Sequence, residues 1–350
     1  NDLFACFIEK SLEMLAHNGL AGLVTSYTWM YLTAYSMLRE VLIDNYSLYS
    51  LIQPEYHAFF QEAFVPICTF IMRNSEFNFS GKYIRLEDFT GADQQNLRAL
   101  EAINNNDCGY LYTIRQKEFK KIPNCPIAYW LNTKTIGLFE NQKMLSKYAD
   151  LRQGLITGDN DRFLRFWYEC DKTKITTTPQ LPRKWYFYHK GGEYRKWYGN
   201  IYLVVNWENE GYEISNFKDD KGKLRSRPQN VKYYQREGFS WTALTVADFN
   251  VRYMPSGSIF DAKGSSGFCS TKENLLYFIA MCNAKPCMKF LHILAPTMDY
   301  NAGAVAKVPA IVDRAKYPYV IKTTETCIRL AQQDWDSFET SWDFRKHPMI

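Results

Sequence analysis

The chain has 350 residues, a length that suits about two domains, and its 46% hydrophobic content is enough for a sizeable core and excludes a disordered protein. A net charge of +5 and a pI near 8.6 permit a nucleic-acid partner without requiring one, and 16% aromatics suit stacking surfaces as well as β-rich cores. Nine scattered cysteines without a CxxC pair exclude a zinc ribbon or disulfide framework and point to a reducing, cytoplasmic setting; five isolated histidines offer no metal site, and no apolar run nears the roughly 20 residues of a membrane span.

Residues 2–17 read as an amphipathic helix. Leu3, Phe4, Phe7, Ile8, Leu12 and Leu15 recur at helical spacing, Asp2 can cap the start, and Asn18-Gly19 can stop it. The chain opens on this pattern without a methionine, which reads as a piece excised from a longer protein. The apolar run 20–25 has the pattern of a buried parallel strand. Tyr35, Leu38, Val41 and Leu42 mark a second helix, and 48–52 a further strand. This helix–strand–helix–strand order argues for part of an open α/β sheet. Two more strands, 65–72 and 82–86, suit an antiparallel edge. A polar helix follows at 91–102, an extended connector with two prolines at 122–130, and a short helix at 135–148.

The composition changes around residues 152–168, RQGLITGDNDRFLRFWY. Gly154 and Gly158 admit positive φ and close approach of backbone to a ligand. Thr157, Asp159 and Asn160 can brace a turn. Arg152, Arg162 and Arg165 supply charge, and Phe163, Phe166 and Trp167 flat apolar faces. The stretch fits a hinge that faces DNA, or simply a tight interdomain turn before a half-buried element. Beyond residue 170 come strand patterns at 201–205, 212–215 and 239–245, then helical patterns at 272–281 and 325–345. The whole reads as α/β followed by a mixed, β-rich α+β part.

No GxGxxG, GxxxxGK[ST], HExxH or GxSxG occurs, so spacing identifies no catalytic site. The strongest signal is 183–198, RKWYFYHKGGEYRKWY. It interleaves Lys184, Lys190, Arg195 and Lys196 with Trp185, Tyr186 and Trp197. Cations of this kind neutralise phosphates, and aromatic faces stack on bases. The competing reading is a β-hairpin turning at KGGE with solvated charges. A second basic stretch, 218–236, sets seven Lys/Arg against Asp219 and Asp220 and reads as a solvated loop. Phe59-Phe60 and Ala63-Phe64 read as core packing or as a stacking surface for an extruded base.

Longer motifs carry a resemblance. NDLFACFIEKSLEMLAHNGLAGLVTSYTWM resembles the segment that follows the NPPY motif of gamma-class adenine-N6 DNA methyltransferases. LRQGLITGDNDRFLRFWYE resembles the GxxTGxNxxF entry into the target-recognition domain of type IIG-like enzymes. LIQPEYHAFF, AFVPICTFI, KGGEYRKWYGN, VVNWENEGYEI and DWDSFETSWDF are similar, in order, to the adenine methyltransferases of BREX phage-defence systems. The resemblance covers essentially the whole chain.

It implies the rear part of a Rossmann-like methyltransferase sheet over 1–150, a DNA target-recognition domain over 151–320, and the start of a C-terminal helical region over 321–350. It implies S-adenosylmethionine as cofactor, double-stranded DNA as partner, and host DNA modification in phage defence. Leu3, Phe4 and Phe7 would border the cofactor pocket, and Phe64 would pack on the flipped adenine. Arg152, Thr157, Gly158, Asn160, Arg162 and Arg165 would meet DNA together with Lys184, Trp185, Tyr186, Lys190, Arg195, Lys196 and Trp197. The family's glycine-rich cofactor loop and NPPY do not occur here, so this chain alone is expected to be inactive. The alternative is a protein-interaction module that docks other BREX proteins or a DNA-mimicking phage inhibitor.

Overall fold

The computed structural model describes residues 2–56, 58, 66–75, 80–178, 180–296 and 299–350. The chain forms two compact units, Asn1–Asn141 and Gln142–Ile350. The first contains α1 (Leu3–Glu13), β1 (Leu20–Ser26), α2 (Ser36–Asn45), β2 (Ser47–Gln53), β3 (Ile67–Arg73), β4 (Ser80–Arg85), α3 (Ala92–Asn104), β5 (Leu111–Arg115) and α4 (Thr133–Asn141).

Its sheet has the order β1-β3-β2-β4-β5. Among the described residues of this unit only β2 and β4 are parallel neighbours; β3 runs against both β1 and β2, which therefore point the same way. Three expectations are corrected. The apolar run 20–25 is an antiparallel edge strand, not a buried parallel one, with Leu20 and Val24 exposed. An all-apolar run cannot distinguish a strand covered on both faces from one with a face left open. Conversely, β3 and β4 are both interior rather than an edge, and Cys68, Phe70 and Met72 of β3 alternate into the core. Asp2 does not cap α1; its carboxylate accepts a hydrogen bond from the Tyr35 hydroxyl. Arg39, fully buried, ties the core together by donating to the carbonyls of Trp29 (2.6 Å), Leu32 (2.8 Å) and Cys125 (3.0 Å).

The second unit begins with β6 (Ala149–Arg152), α5 (Asn160–Phe163), β7 (Leu164–Phe166), β8 (Ile175–Thr176), β9 (Trp185–His189), β10 (Leu203–Asn206) and α6 (Glu208–Ser215). It continues with β11 (Gly238–Trp241), β12 (Val251–Met254), β13 (Ile259–Phe260), β14 (Ser266–Cys269), α7 (Lys272–Asn283), α8 (Lys285–Leu294), α9 (Ala302–Val305) and α10 (Tyr317–Trp335). One sheet runs β13-β9-β10-β7 with β8 beside β9; the other runs β12-β11-β14-β6. Leu155, Tyr188, Val205, Phe260 and Phe268 belong to the core between them. Residues 212–215 are helical rather than a strand, entered through left-handed Asn209, Glu210 and Gly211. The expected hairpin at KGGE is absent: β9 pairs with β10, and residues 190–202 between them are irregular. All nine cysteines are free thiols. Among the described residues there is no helix long and apolar enough to cross a membrane and no cluster able to hold a metal.

Candidate nucleic-acid interface

The central turn is built into the second unit. Leu155, fully buried, receives the Ala262 amide (3.1 Å) and donates to Phe260 (2.9 Å). On its other side Ile156 exchanges two hydrogen bonds with Arg227, at 3.1 and 2.8 Å. The two glycines are demanded by this sandwich. A Cβ on Gly154 would lie 1.8 Å from the Phe260 carbonyl oxygen. Gly158 has φ +74°, and a Cβ there would lie 2.7 Å from the Arg225 carbonyl carbon. The backbone that approaches is thus the chain's own. The Thr157 hydroxyl donates to the Asn160 side chain (2.7 Å), and Asp159 caps α5 by accepting from the Arg162 amide (3.0 Å). Phe163 and Trp167 are buried anchors, Trp167 against Trp342.

Two aromatic rings then gather cations from distant parts of the chain. Over Phe217 sit the guanidinium groups of Arg162 (5.0 Å to the centroid) and Arg225 (5.7 Å). Over Tyr233 sit Arg152 (5.3 Å), Lys232 (5.3 Å) and Arg236 (5.1 Å). Arg162 also pairs with Glu213 (2.9 Å) and Arg152 with Asp150 (2.8 Å), both in half-exposed settings. Arg165 turns onto backbone carbonyls, those of Leu164 (2.6 Å) and Asp161.

The second basic stretch is a hairpin, not a plain loop. Lys218 and Leu224 form an antiparallel bridge, and the Asp219 carbonyl accepts from the Gly222 amide (2.9 Å) across the tip. Lys218, Lys221, Lys223, Arg225, Arg227, Lys232 and Arg236 are all exposed, and none is in an ion pair among the described residues. In sequence this stretch carries a weaker interleaving of bases and aromatics than 183–198. Its signal was present in Phe217-Lys218 and Lys232-Tyr233, aromatics directly beside bases.

In the stretch 183–198 Arg183 and Tyr194 stay exposed, but most of the other cations are engaged within the unit. Lys184 pairs with Glu208 (3.1 Å), and Arg195 with Asp334 (2.8 Å) while lying over the Trp335 ring. Lys196 donates to the Asn283 carbonyl (3.0 Å) at the end of α7. Tyr186 is buried, which corrects the expectation of an available face there. Trp185 is partly buried against the cluster of Trp167, Ile175 and Val204, and the backbone of Trp197 is hydrogen-bonded to Val251 and Tyr253. Burial pushes the Lys190 ammonium below its usual range. His189 is pushed down to about 3 by burial and by the neighbouring Arg252. Arg252 is itself buried and lowered to about 10, with Asn250 (2.9 Å) as its partner rather than a carboxylate.

In the first unit Leu3 and Phe7 are exposed, whereas Phe4 packs against Tyr35. Phe64 lies outside the described residues.

Residues 1–60 match the family described as Eco57I restriction-modification methylase. The whole chain is 35% identical to the adenine-specific methyltransferase PglX of Lacticaseibacillus casei (strain Zhang) and spans 30% of that protein. It is 33% identical to the adenine-specific methyltransferase BrxX of Escherichia coli O9:H4 (strain HS), again over its whole length and 28% of that protein. In fold it resembles the type IIL restriction-modification enzyme MmeI, solved in complex with DNA. The TM-score is 0.59 at 9% identity, over 98% of this chain and 46% of the other.

Proposed function

Since the chain is related over its full length to a segment of the adenine-specific methyltransferases PglX and BrxX, we propose that it is the DNA-binding and target-recognition part of an S-adenosylmethionine-dependent adenine-N6 DNA methyltransferase that modifies host DNA in phage defence. The observation that carries the DNA-binding half is the gathering of Arg152, Arg162, Arg225, Lys232 and Arg236 on two rings. Three of these five have an aromatic face and no carboxylate as partner, so their charge remains usable by phosphates. Likeness in fold to MmeI, solved with DNA, supports the same reading.

We read the first unit as the rear of a Rossmann-like sheet. β1 and β2 point the same way with β3 reversed between them. The uncovered β1 edge exposes Leu20 and Val24, and α1 with the residue that ends it exposes Leu3, Phe7 and Met14; both suit cover by another part of a longer polypeptide. Leu3, Phe4 and Phe7 offer apolar surface but no hydrogen-bonding side chain for a ribose or carboxylate, so they do not form a cofactor site by themselves.

The test is duplex binding by the 350-residue chain across a salt series, followed by selection from a random duplex pool. We expect a log–log slope of magnitude about 4 or more and enrichment of one sequence word. Salt-insensitive binding, or none at low salt, removes the DNA reading; binding without enrichment removes target recognition.

A further inference from the structure

We propose that the hairpin 217–227 is a finger that enters the DNA duplex, with Leu224 as an apolar wedge between base pairs and Lys221, Lys223 and Arg225 holding phosphates beside it. This rests on the DNA-binding reading above and names the element that deforms the duplex.

The base of the hairpin is fixed. Arg227 is locked to Ile156 by paired hydrogen bonds, and the buried Ser226 hydroxyl donates to the Ile214 carbonyl. The Arg225 amide donates to the Phe217 carbonyl (3.0 Å), and Gly158 lies against the Arg225–Ser226 peptide with no room for a Cβ. The tip is shaped from within. One Asp219 carboxylate oxygen accepts the amides of Lys221 (3.0 Å) and Lys223 (2.9 Å), and the Asp219 amide donates to the Lys223 carbonyl (2.9 Å). Gly222, at φ +76°, has no atom within 4 Å of a Cβ position, and Asp220, Lys221 and Lys223 around it are exposed.

The chemistry of the tip is uneven. FKDDKGKLRSR carries five cations against two acids, and one acid is occupied by backbone amides. Leu224, 54% exposed, lies between Lys223 and Arg225 in the sequence. A single exposed leucine is ordinary on a protein surface. On the returning strand of a cationic hairpin, bridged to Lys218 just behind the tip, it is placed differently: phosphate contacts draw it to a groove, where an apolar side chain unstacks a base step. A chain that serves an enzyme acting on a base needs such a step opened, because the base must leave the stack.

The experiment uses the full chain, its Leu224→Ala variant and its Lys221→Ala/Lys223→Ala variant. Each is assayed for duplex binding across salt concentrations and for unwinding of closed-circular plasmid relaxed by a topoisomerase. Leu224 and both lysines are exposed, and thermal melting checks that all three proteins are equally folded. The wild-type chain is expected to lower the plasmid linking number. Leu224→Ala should keep the wild-type salt slope and lose most of the unwinding. The double lysine variant should lower the slope by about 2. A wild-type chain that binds without unwinding, or a Leu224→Ala variant that unwinds like wild type, overturns the wedge. A double variant with unchanged slope takes the finger off the DNA while the DNA reading stands. A wild-type chain without salt-dependent binding overturns both.

Discussion

Residues 183–198 and 218–236 look alike in sequence, each a mixture of lysines, arginines, aromatics and glycine, yet the fold disposes of them in opposite ways. In the first, Lys184 and Arg195 meet carboxylates, Lys196 meets a helix-end carbonyl, and Tyr186 is core. In the second, every cation is exposed, and Asp219, the nearby acid with a described role, is used by backbone amides. The difference is not density of charge. It is whether distant segments bring partners: Arg195 finds Asp334 at a separation of 139 residues, and Lys196 finds Asn283 at 87. Availability of charge is therefore a tertiary property, and a basic run in sequence is only a candidate surface.

The largest effect that sharpens this contrast is the loss of the outward charges. Replacing Lys218, Lys221, Lys223 and Arg225 together by Ala should lower duplex affinity roughly a thousandfold at about 0.15 M salt, each lost contact reducing the log–log slope by about 0.9. Stability should fall by no more than about 2 kcal/mol, because all four side chains are exposed and, of the four, Arg225 is the one seated over a ring, that of Phe217. Fluorescence anisotropy across a salt series measures it; an unchanged slope would erase the distinction between the two stretches.

Next is Gly158→Val, which attacks the bracing of the hairpin rather than its charges. Positive φ and the clash with the Arg225–Ser226 peptide should together cost about 3 kcal/mol, seen as a fall of about 6–12 °C in Tm, with weaker duplex binding as the finger shifts. A variant that melts like wild type would mean that the turn and hairpin are not packed as described.

Acid provides a marker for the inward stretch. His189, at the end of β9, protonates near 3 when folded against 6.5 when unfolded. Its contribution is fully present above about pH 6.5. Below that the unfolded chain takes up the proton and the native state does not, so stability falls by about 1.4 kcal/mol per pH unit toward pH 3. A His189→Gln variant should therefore show a flatter Tm profile between pH 6.5 and 4 than wild type. Parallel profiles would place His189 in contact with water.

How much of this was legible follows from the range of the forces involved. Helices α1, α2, α3 and α7 were visible because amphipathic spacing and stop signals act within a few residues. The bracing at Thr157, Asp159 and Asn160 was visible for the same reason. The position of β3 inside the sheet was not, because strand order is set by pairing between segments far apart in sequence. Gly154 and Gly158 were recognised as sites of close approach, but the approaching group, backbone of Phe260 and Arg225, has no local signature. The Phe217 and Tyr233 rings were missed likewise. Each matters because Arg162 or Arg152 arrives from the central turn.

The smallest expected effect is also the most direct attempt to break the contrast. Arg195 was expected on the DNA, and the fold gives it Asp334 and the Trp335 ring instead. A surface ion pair and a half-exposed cation–π contact together contribute about 1 kcal/mol. Arg195→Ala should therefore lower Tm by about 2–4 °C and leave the salt slope of duplex binding unchanged. Asp334→Ala should cost less, because the ring contact survives, and the double variant should be less unstable than the sum of the singles by the coupling energy of the pair. If Arg195 instead serves DNA, the outcome reverses. Its removal then lowers the slope by about 1, and Asp334→Ala, by freeing the guanidinium, raises affinity. Melting curves and anisotropy on the three variants separate the two cases, because a structural partner moves stability and a phosphate partner moves the slope.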